Sequence, residues 1–386
     1  MTDLPLTIVA DENIPALESL FGHLGTLRTC AGRNMRPEQV QDADVLLVRS
    51  VTRVDASLLT GSRVRFVGTA TIGTDHVDQA WLEQQGIGFS SAPGCNADSV
   101  VDYVLAALTQ IAAEDRFDLR RKKIGIVGVG NVGRRLQRRL DALGLDLLLC
   151  DPPRQASESG LEHFVDLETL LEQADIICLH TPLTRTGRWP THHLLNAERL
   201  QRLRPDVLLL NAGRGPVIDN AALLALARQR PQMALVMDVW EHEPLVDPEL
   251  VALCRIATPH IAGYALDGKI RGTWMLYQAL CRQLSRPPTV ELSEVLPPAP
   301  AQRLHLHLPD DPCVPVRTVY DIYRDDRAFR RLMSGDESQI RQGFDQLRRD
   351  YPERREFATL MLQGRVSPSL SHQLAAYGFD CQWEKV

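Results

Sequence analysis

The stretch Lys123-Ile124-Gly125-Ile126-Val127-Gly128-Val129-Gly130-Asn131-Val132-Gly133, followed by Leu147-Leu148-Leu149-Cys150-Asp151, decides the fold. An apolar run ends in glycines at 128, 130 and 133, a helical pattern follows, and a second apolar run stops at an acid. This is the spacing of a dinucleotide-binding βαβ unit, in which a helix N-terminus turns its unpaired N–H groups toward a pyrophosphate. Gly128 allows the tight turn. Gly130, with Asn131 and Val132 opening the helix behind it, lets backbone amides approach the phosphates, and Gly133 lets the helix pack close to the strand. Asp151 is placed to take the adenosine ribose hydroxyls and to repel a 2′-phosphate, which favours NAD over NADP. Arg154 is the residue that argues the other way. Glycines also mark ordinary turns, but here strand, helix and acid agree.

Reading outward, the βα alternation continues to about residue 260. Strands are expected at Ile124–Val127, Asp146–Cys150, Ile176–His180, Val207–Asn211, Leu235–Val239 and Arg255–Thr258. Upstream, Asp98–Ala113 carries apolar residues at three-to-four spacing and reads as a helix joining two domains. Residues 4–92 alternate short apolar runs (Leu6–Ala10, Val45–Val48, Val64–Gly68, Ile87–Phe89) with amphipathic stretches, as a small parallel α/β domain does. A helical pattern at Gly272–Leu284 returns toward that first domain, and the prolines at 287–288 and 297–300 mark a linker. Beyond it, a strand around His305 and a helix over Asp336–Arg349 are expected. The fold class is therefore α/β. Two Rossmann-like, doubly wound parallel-sheet domains flank a cleft, and a small C-terminal α+β domain follows. The expected boundaries are 1–97 with a return segment 265–290, 98–264, and 291–386.

The length of 386 residues suits two or three domains. A 44% hydrophobic and 24% charged composition is that of a globular protein, and the net charge of −6 argues against a general nucleic-acid binder. Arg134, Arg135, Arg138 and Arg139 fall at helical spacing and read as a solvated helix face. Eight cysteines without a CxxC or Cys/His cluster, and no secretory leader, point to a reducing cytoplasm with neither disulfides nor a metal site. No apolar run approaches the roughly 20 residues that span a bilayer.

Three further motifs end predicted strands, where open α/β sheets collect their ligands. In Asn211-Ala212-Gly213-Arg214-Gly215, small residues surround one arginine, a bidentate grip for a carboxylate. Asp238-Val239-Trp240-Glu241-His242-Glu243-Pro244 offers acids, and Thr258-Pro259-His260-Ile261-Ala262-Gly263-Tyr264 offers a histidine. Singly, each has an ordinary structural explanation. Together they supply what oxidation of an alcohol by NAD needs: a base, an acid to orient it, and an arginine for the substrate acid.

The order GxGxxG, Asp, NAGRG, DVWEHEP, TPHIAG resembles the D-isomer-specific 2-hydroxyacid dehydrogenase family. Segments outside the cofactor unit extend the resemblance over nearly the whole chain: Ala10–Asn13, Val48–Thr52, Phe66–Asp78, Ser91–Asn96, 319–327 and 351–357. The resemblance implies catalytic roles for Arg214 (substrate carboxylate), Glu243 (orienting acid, preferred over Glu241 because it precedes proline) and His260 (proton acceptor in oxidation). It implies NAD contacts at Asp151, Thr181, Ala212, Asp238 and Gly263, and substrate contacts at Ser50, Thr71 and Tyr264. It also implies a phosphorylated hydroxyacid substrate and a homodimer formed through the C-terminal domain, with no nucleic acid, membrane or metal. The substrate phosphate needs a cation: Arg49 or Arg53, or Arg348, Arg349, Arg354 or Arg355 entering a partner's cleft. The alternatives are a dehydrogenase of 3-phosphoglycerate or glyoxylate type, and a non-enzymatic NAD-sensing adaptor on the same fold.

Overall fold

In the computed structural model, which describes residues 5–307 and 311–384, the chain forms two compact units. The first comprises 1–96 and 265–298, and the second 97–264 and 299–386. The first unit holds β1 (Leu6–Asp11), β2 (Gly25–Cys30), β3 (Val45–Val48), β4 (Phe66–Thr69) and β5 (Gly88–Ser90) in the order β2-β1-β3-β4-β5, all parallel. The pleat sends alternate residues to opposite faces. Ile8, Ala10, Val45 and Leu47 pack with Leu276, Tyr277 and Leu280 of the helix Leu266–Gln283. Val9, Leu46, Val48 and Val67 pack with Val40, Leu58, Leu59 and Leu82 on the other face. The C-terminal return thus completes this unit and reaches Pro298, beyond the expected end at 290.

The second unit contains β6 (Lys123–Val127), β7 (Asp146–Cys150), β8 (Ile176–Leu179), β9 (Leu208–Asn211), β10 (Ala234–Met237) and β11 (Ile256–Ala257), parallel, in the order β11-β10-β9-β8-β6-β7. The chain turns one way from β6 to β7 and the other way to β8. The glycine loop after β6 therefore sits at a topological switch point, where such sheets bind ligands. Ile124, Ile126, Cys178, Leu210 and Val236 face one core, and Val127, Ile177, Leu179, Leu209 and Met237 face the other. The helix Ala97–Glu114 opens this unit and is buried on nearly every side.

The C-terminal segment adds β12 (Arg303–Leu306), β13 (Met361–Gly364) and β14 (Asp380–Trp383), a parallel three-stranded sheet with helices in its crossovers. It does not keep a separate core. Leu306, Val316, Tyr320, Phe357, Leu362 and Leu374 belong to the same hydrophobic cluster as Tyr103, Leu108 and Ile124, so the segment is continuous with the dinucleotide unit. None of the described helices is long and apolar enough to cross a membrane.

Candidate active site

The glycine loop is shaped by what each missing Cβ would strike. At Gly128 (φ +86) a Cβ would lie 2.8 Å from the backbone of His180 and Thr181, and at Gly133 it would lie 2.2 Å from the Gly128 carbonyl. At Gly130 it would meet nothing within 4 Å. Two glycines thus serve close packing, and the third keeps open the space in front of the helix Asn131–Ala142, whose first amides lack intrahelical partners. Asp151 accepts from the Val129 N–H (2.8 Å) and from the Arg154 N–H (3.1 Å), which fixes its carboxylate beside that space. Arg154 is occupied by Glu158, at 2.6 Å, and by the Val129 carbonyl, at 2.7 Å. Its guanidinium is thereby held in place, on a carboxylate that it shares with Arg134 (2.8 Å). The hydroxyl of Thr181 is buried with no partner among the described residues, as a group awaiting a ligand would be. An open anion cradle, a fixed ribose acceptor and an orphaned hydroxyl fit a bound dinucleotide.

The candidate reacting groups follow on the next strand ends. Asn211, fully buried, accepts from the Gly213 N–H (3.1 Å) and donates to the Arg214 carbonyl (3.1 Å), folding the turn that presents Arg214. Gly215 leaves no room for a side chain against the Trp240 carbonyl, 1.9 Å from an added Cβ, so the NAGRG and DVWEHEP turns are pressed together. Glu243 accepts from the Trp240 N–H through Oε1 (2.8 Å) and faces His260 Nδ1 through Oε2 (2.7 Å). Burial pushes the Glu243 carboxyl up, but the charge and hydrogen bond of His260, the Trp240 N–H and the Arg348 charge together outweigh it, and the carboxyl sits below its ordinary range. His260 has φ 57, in the left-handed region that side-chain-bearing residues rarely adopt. Asp238 sustains this turn. Its buried carboxylate accepts from Thr258 Oγ1 (2.7 Å), the Ile261 N–H (2.8 Å) and the Ala262 N–H (2.9 Å).

A family model described as the D-isomer specific 2-hydroxyacid dehydrogenase NAD-binding domain matches residues 107–262, and one described only as a domain of unknown function matches 313–378. The chain is 51% identical over 381 residues to the erythronate-4-phosphate dehydrogenase of Marinobacter nauticus, covering 97% of this chain and 99% of that one. To the enzyme of the same name from Pseudomonas entomophila it is 52% identical over 380 residues, covering 97% and 99%.

The chain belongs to the erythronate-4-phosphate dehydrogenase family.

The wider fold agrees. D-lactate dehydrogenase of Aquifex aeolicus, solved with NAD and lactic acid, superposes with a TM-score of 0.58 at 23% identity, over 72% of this chain and 95% of that one. A 3-phosphoglycerate dehydrogenase of Entamoeba histolytica, solved with NAD⁺, gives 0.60 at 22% identity, over 73% and 96%.

For a member of this dehydrogenase family, the choice between the two acids is informative. Glu241 is taken by His193 Nε2 and by the Asn220 N–H (3.0 Å), whereas Glu243 reaches His260; His242 is exposed. On the first unit, Ser50 is exposed just after β3, and Thr71, just after β4, holds Thr69 Oγ1 at 2.8 Å and the Gly73 carbonyl at 2.9 Å. Arg49 pairs with Asp11 (3.1 Å) and Arg53 with Asp55 (2.6 Å). The expectation that Arg354 or Arg355 reaches a partner's cleft is corrected here. Both are buried in their own chain, and Arg354 donates to the carbonyls of Ala262 and Ser99. Tyr264 meets Tyr351 edge-on at 5.6 Å, and the Arg348 guanidinium lies 5.6 Å over the Tyr264 ring. The sequence reading also passed over His180. Its ring, buried without a partner, has its pKa lowered to about 4 by burial, so it stands neutral beside the glycine turn. A histidine closing an apolar strand offered no pattern that separates it from a surface residue.

Proposed function

We propose that the protein oxidises 4-phospho-D-erythronate to (R)-3-hydroxy-2-oxo-4-phosphobutanoate with NAD, a step in pyridoxal 5′-phosphate synthesis. The observation that carries this reading is the 2.7 Å contact between Glu243 and His260 Nδ1 in a chain 51% identical to an enzyme of that name. With Nδ1 facing the carboxylate, Nε2 is the ring atom left to take the proton of the 2-hydroxyl. Glu243 holds the tautomer and stabilises the imidazolium that forms. Arg214 grips the substrate carboxylate and orients the carbon that is oxidised. Bound NAD supplies the hydride acceptor. Gly128, Gly130, Asn131, Val132, Gly133, Asp151, Thr181, Ala212, Asp238 and Gly263 are its binding residues on this reading, and Ser50, Thr71 and Tyr264 contact substrate. Asp238 acts chiefly by tying the loop, since its carboxylate already has protein partners. Arg348 and Arg349 are the C-terminal cations for the substrate phosphate. The working form is a homodimer through 291–386, in the cytoplasm; light scattering at micromolar concentration tests the assembly.

NADH absorbance with a panel of phosphorylated and unphosphorylated 2-hydroxyacids tests the substrate, and preference for 3-phosphoglycerate or glycolate would overturn it. His260→Ala is expected to lower kcat by about 10²–10⁴-fold with NADH binding intact. Unchanged turnover would remove His260 from the mechanism.

A further inference from the structure

The stretch Tyr351–Phe357 of the C-terminal segment contains some of the most deeply buried charges among the described residues. Arg354 is 2% exposed, Arg355 7% and Glu356 5%. Burying charge is costly unless each group is well paired, so such a cluster needs a reason. Its partners supply one. The Arg354 guanidinium donates to the carbonyl of Ala262, just past His260, and to the carbonyl of Ser99 (3.3 Å), and it stacks 4.4 Å over the Tyr320 ring. Tyr351 packs edge-on against Tyr264 at 5.6 Å, and its hydroxyl is fixed by Asp325 at 2.6 Å. Ser99 Oγ donates to Glu356 (2.7 Å), and the Phe357 N–H donates to Asp102 (2.8 Å), fastening the stretch to the helix Ala97–Glu114.

The turn it touches has need of such support. His260 holds a left-handed backbone, and such strain persists only where surrounding contacts over-determine it. Asp238 secures the N–H groups of Ile261 and Ala262 from one side. Arg354 takes the Ala262 carbonyl, and Tyr351 and Arg348 enclose the Tyr264 ring. The turn from His260 to Tyr264 is thus gripped by the dinucleotide unit and by the C-terminal segment together.

We propose that Tyr351–Phe357 is an intramolecular brace for the His260 turn, with Arg354 and Tyr351 as positioning residues, so that the segment of unassigned function acts on turnover within its own chain. The proposal rests on the reading of His260 as the base. It is independent of whether the segment also forms a dimer.

The test uses the full-length protein with Arg354→Met, Arg354→Lys, Tyr351→Leu and, in parallel, His260→Ala. Thermal unfolding, NADH binding by fluorescence, and kcat and KM for 4-phospho-D-erythronate are measured on each. Arg354→Met, which keeps length but loses the donor, should bind NADH as the wild type does and lose roughly 10²-fold in kcat, the scale set by about 1 Å of misplacement. Arg354→Lys, which keeps a donor and the charge, should recover part of that loss. Tyr351→Leu should lower kcat in the same sense, and it decides the matter if Arg354→Met does not fold. A folded Arg354→Met or Tyr351→Leu protein with wild-type kcat overturns the brace. So does a parallel decline of kcat, NADH affinity and melting temperature. If His260→Ala also turns over normally, the reading of the base falls; if only the brace variants do, the base stands and the brace falls.

Discussion

His260 and Glu243 gain their meaning from each other. Removing the charge with Glu243→Gln should lower kcat by about 10–10²-fold, as loss of a group that orients a histidine does. It should also change stability with a definite sign. The Glu243 carboxyl is held below its ordinary range, so its stabilisation is present above the unfolded value and lost as pH falls through the folded one. The deficit of Glu243→Gln in urea unfolding should therefore hold nearly constant down to the unfolded value of about 4 and shrink below it; a deficit that stays constant as pH falls below about 4 would contradict this. Asp102 has the opposite sign. Burial raises it to about 7 against the opposing charge of Arg139, with Glu356 adding to the rise. A raised acid loses stabilisation as pH climbs from its unfolded value of about 4 to the folded one. Asp102→Asn, which keeps an acceptor for the Phe357 N–H, should gain on the wild type across that interval, read as melting temperature against pH. At this scale the sequence identified Arg214, Glu243 and His260 by residue type and position after strands. It could not separate Glu241 from Glu243 without the family's proline, because both lie in one short turn, and only the partners His193 and His260 distinguish them.

Strands and helices were legible where one period dominates. The buried strands β3, β6 and β8 to β10 are near-continuous apolar runs, and they and the half-exposed edge strand β7 stand within two residues of their expected ends. The strand β2 was not foreseen: Gly25-Thr26-Leu27-Arg28-Thr29-Cys30 is half-exposed at the sheet edge, and its register comes from pairing with β1. β13 and β14 were missed because each is only four residues long and interrupted by glutamine, with no run of apolar residues. The glycine loop yields a paired prediction. Gly130→Ala places a Cβ in open space and should leave the melting temperature nearly unchanged while weakening NADH binding. Gly133→Ala drives a Cβ onto the Gly128 carbonyl and should cost about 1–3 kcal/mol of stability, measured by urea unfolding. Equal behaviour of the two variants would mean that the glycines share one role.

At the scale of the molecule, the C-terminal segment is where local reading says least about packing. The prolines at 287–288 and 297–300 suggested a linker to a small third domain over 291–386. The structure joins Tyr320, Phe357, Leu360 and Tyr377 to the core under the helix Ala97–Glu114, so truncation would expose that face to water. A chain ending at residue 298 is expected to be insoluble or to unfold without a cooperative transition by circular dichroism; a cooperative, NADH-binding truncation would show that the shared core is dispensable. The sequence by itself determined the α/β class and the dinucleotide unit, and it singled out Arg214, Glu243 and His260 as the candidates for the chemistry. Glycine spacing and apolar runs are local constraints of the backbone, and residue chemistry travels with the letter. Only the tertiary structure decided which acid meets His260 and that Arg354 is spent on the Ala262 carbonyl. Those are contacts between segments far apart in the chain or within one crowded turn, and no period in the sequence encodes which of several equivalent charges will be close enough to pair.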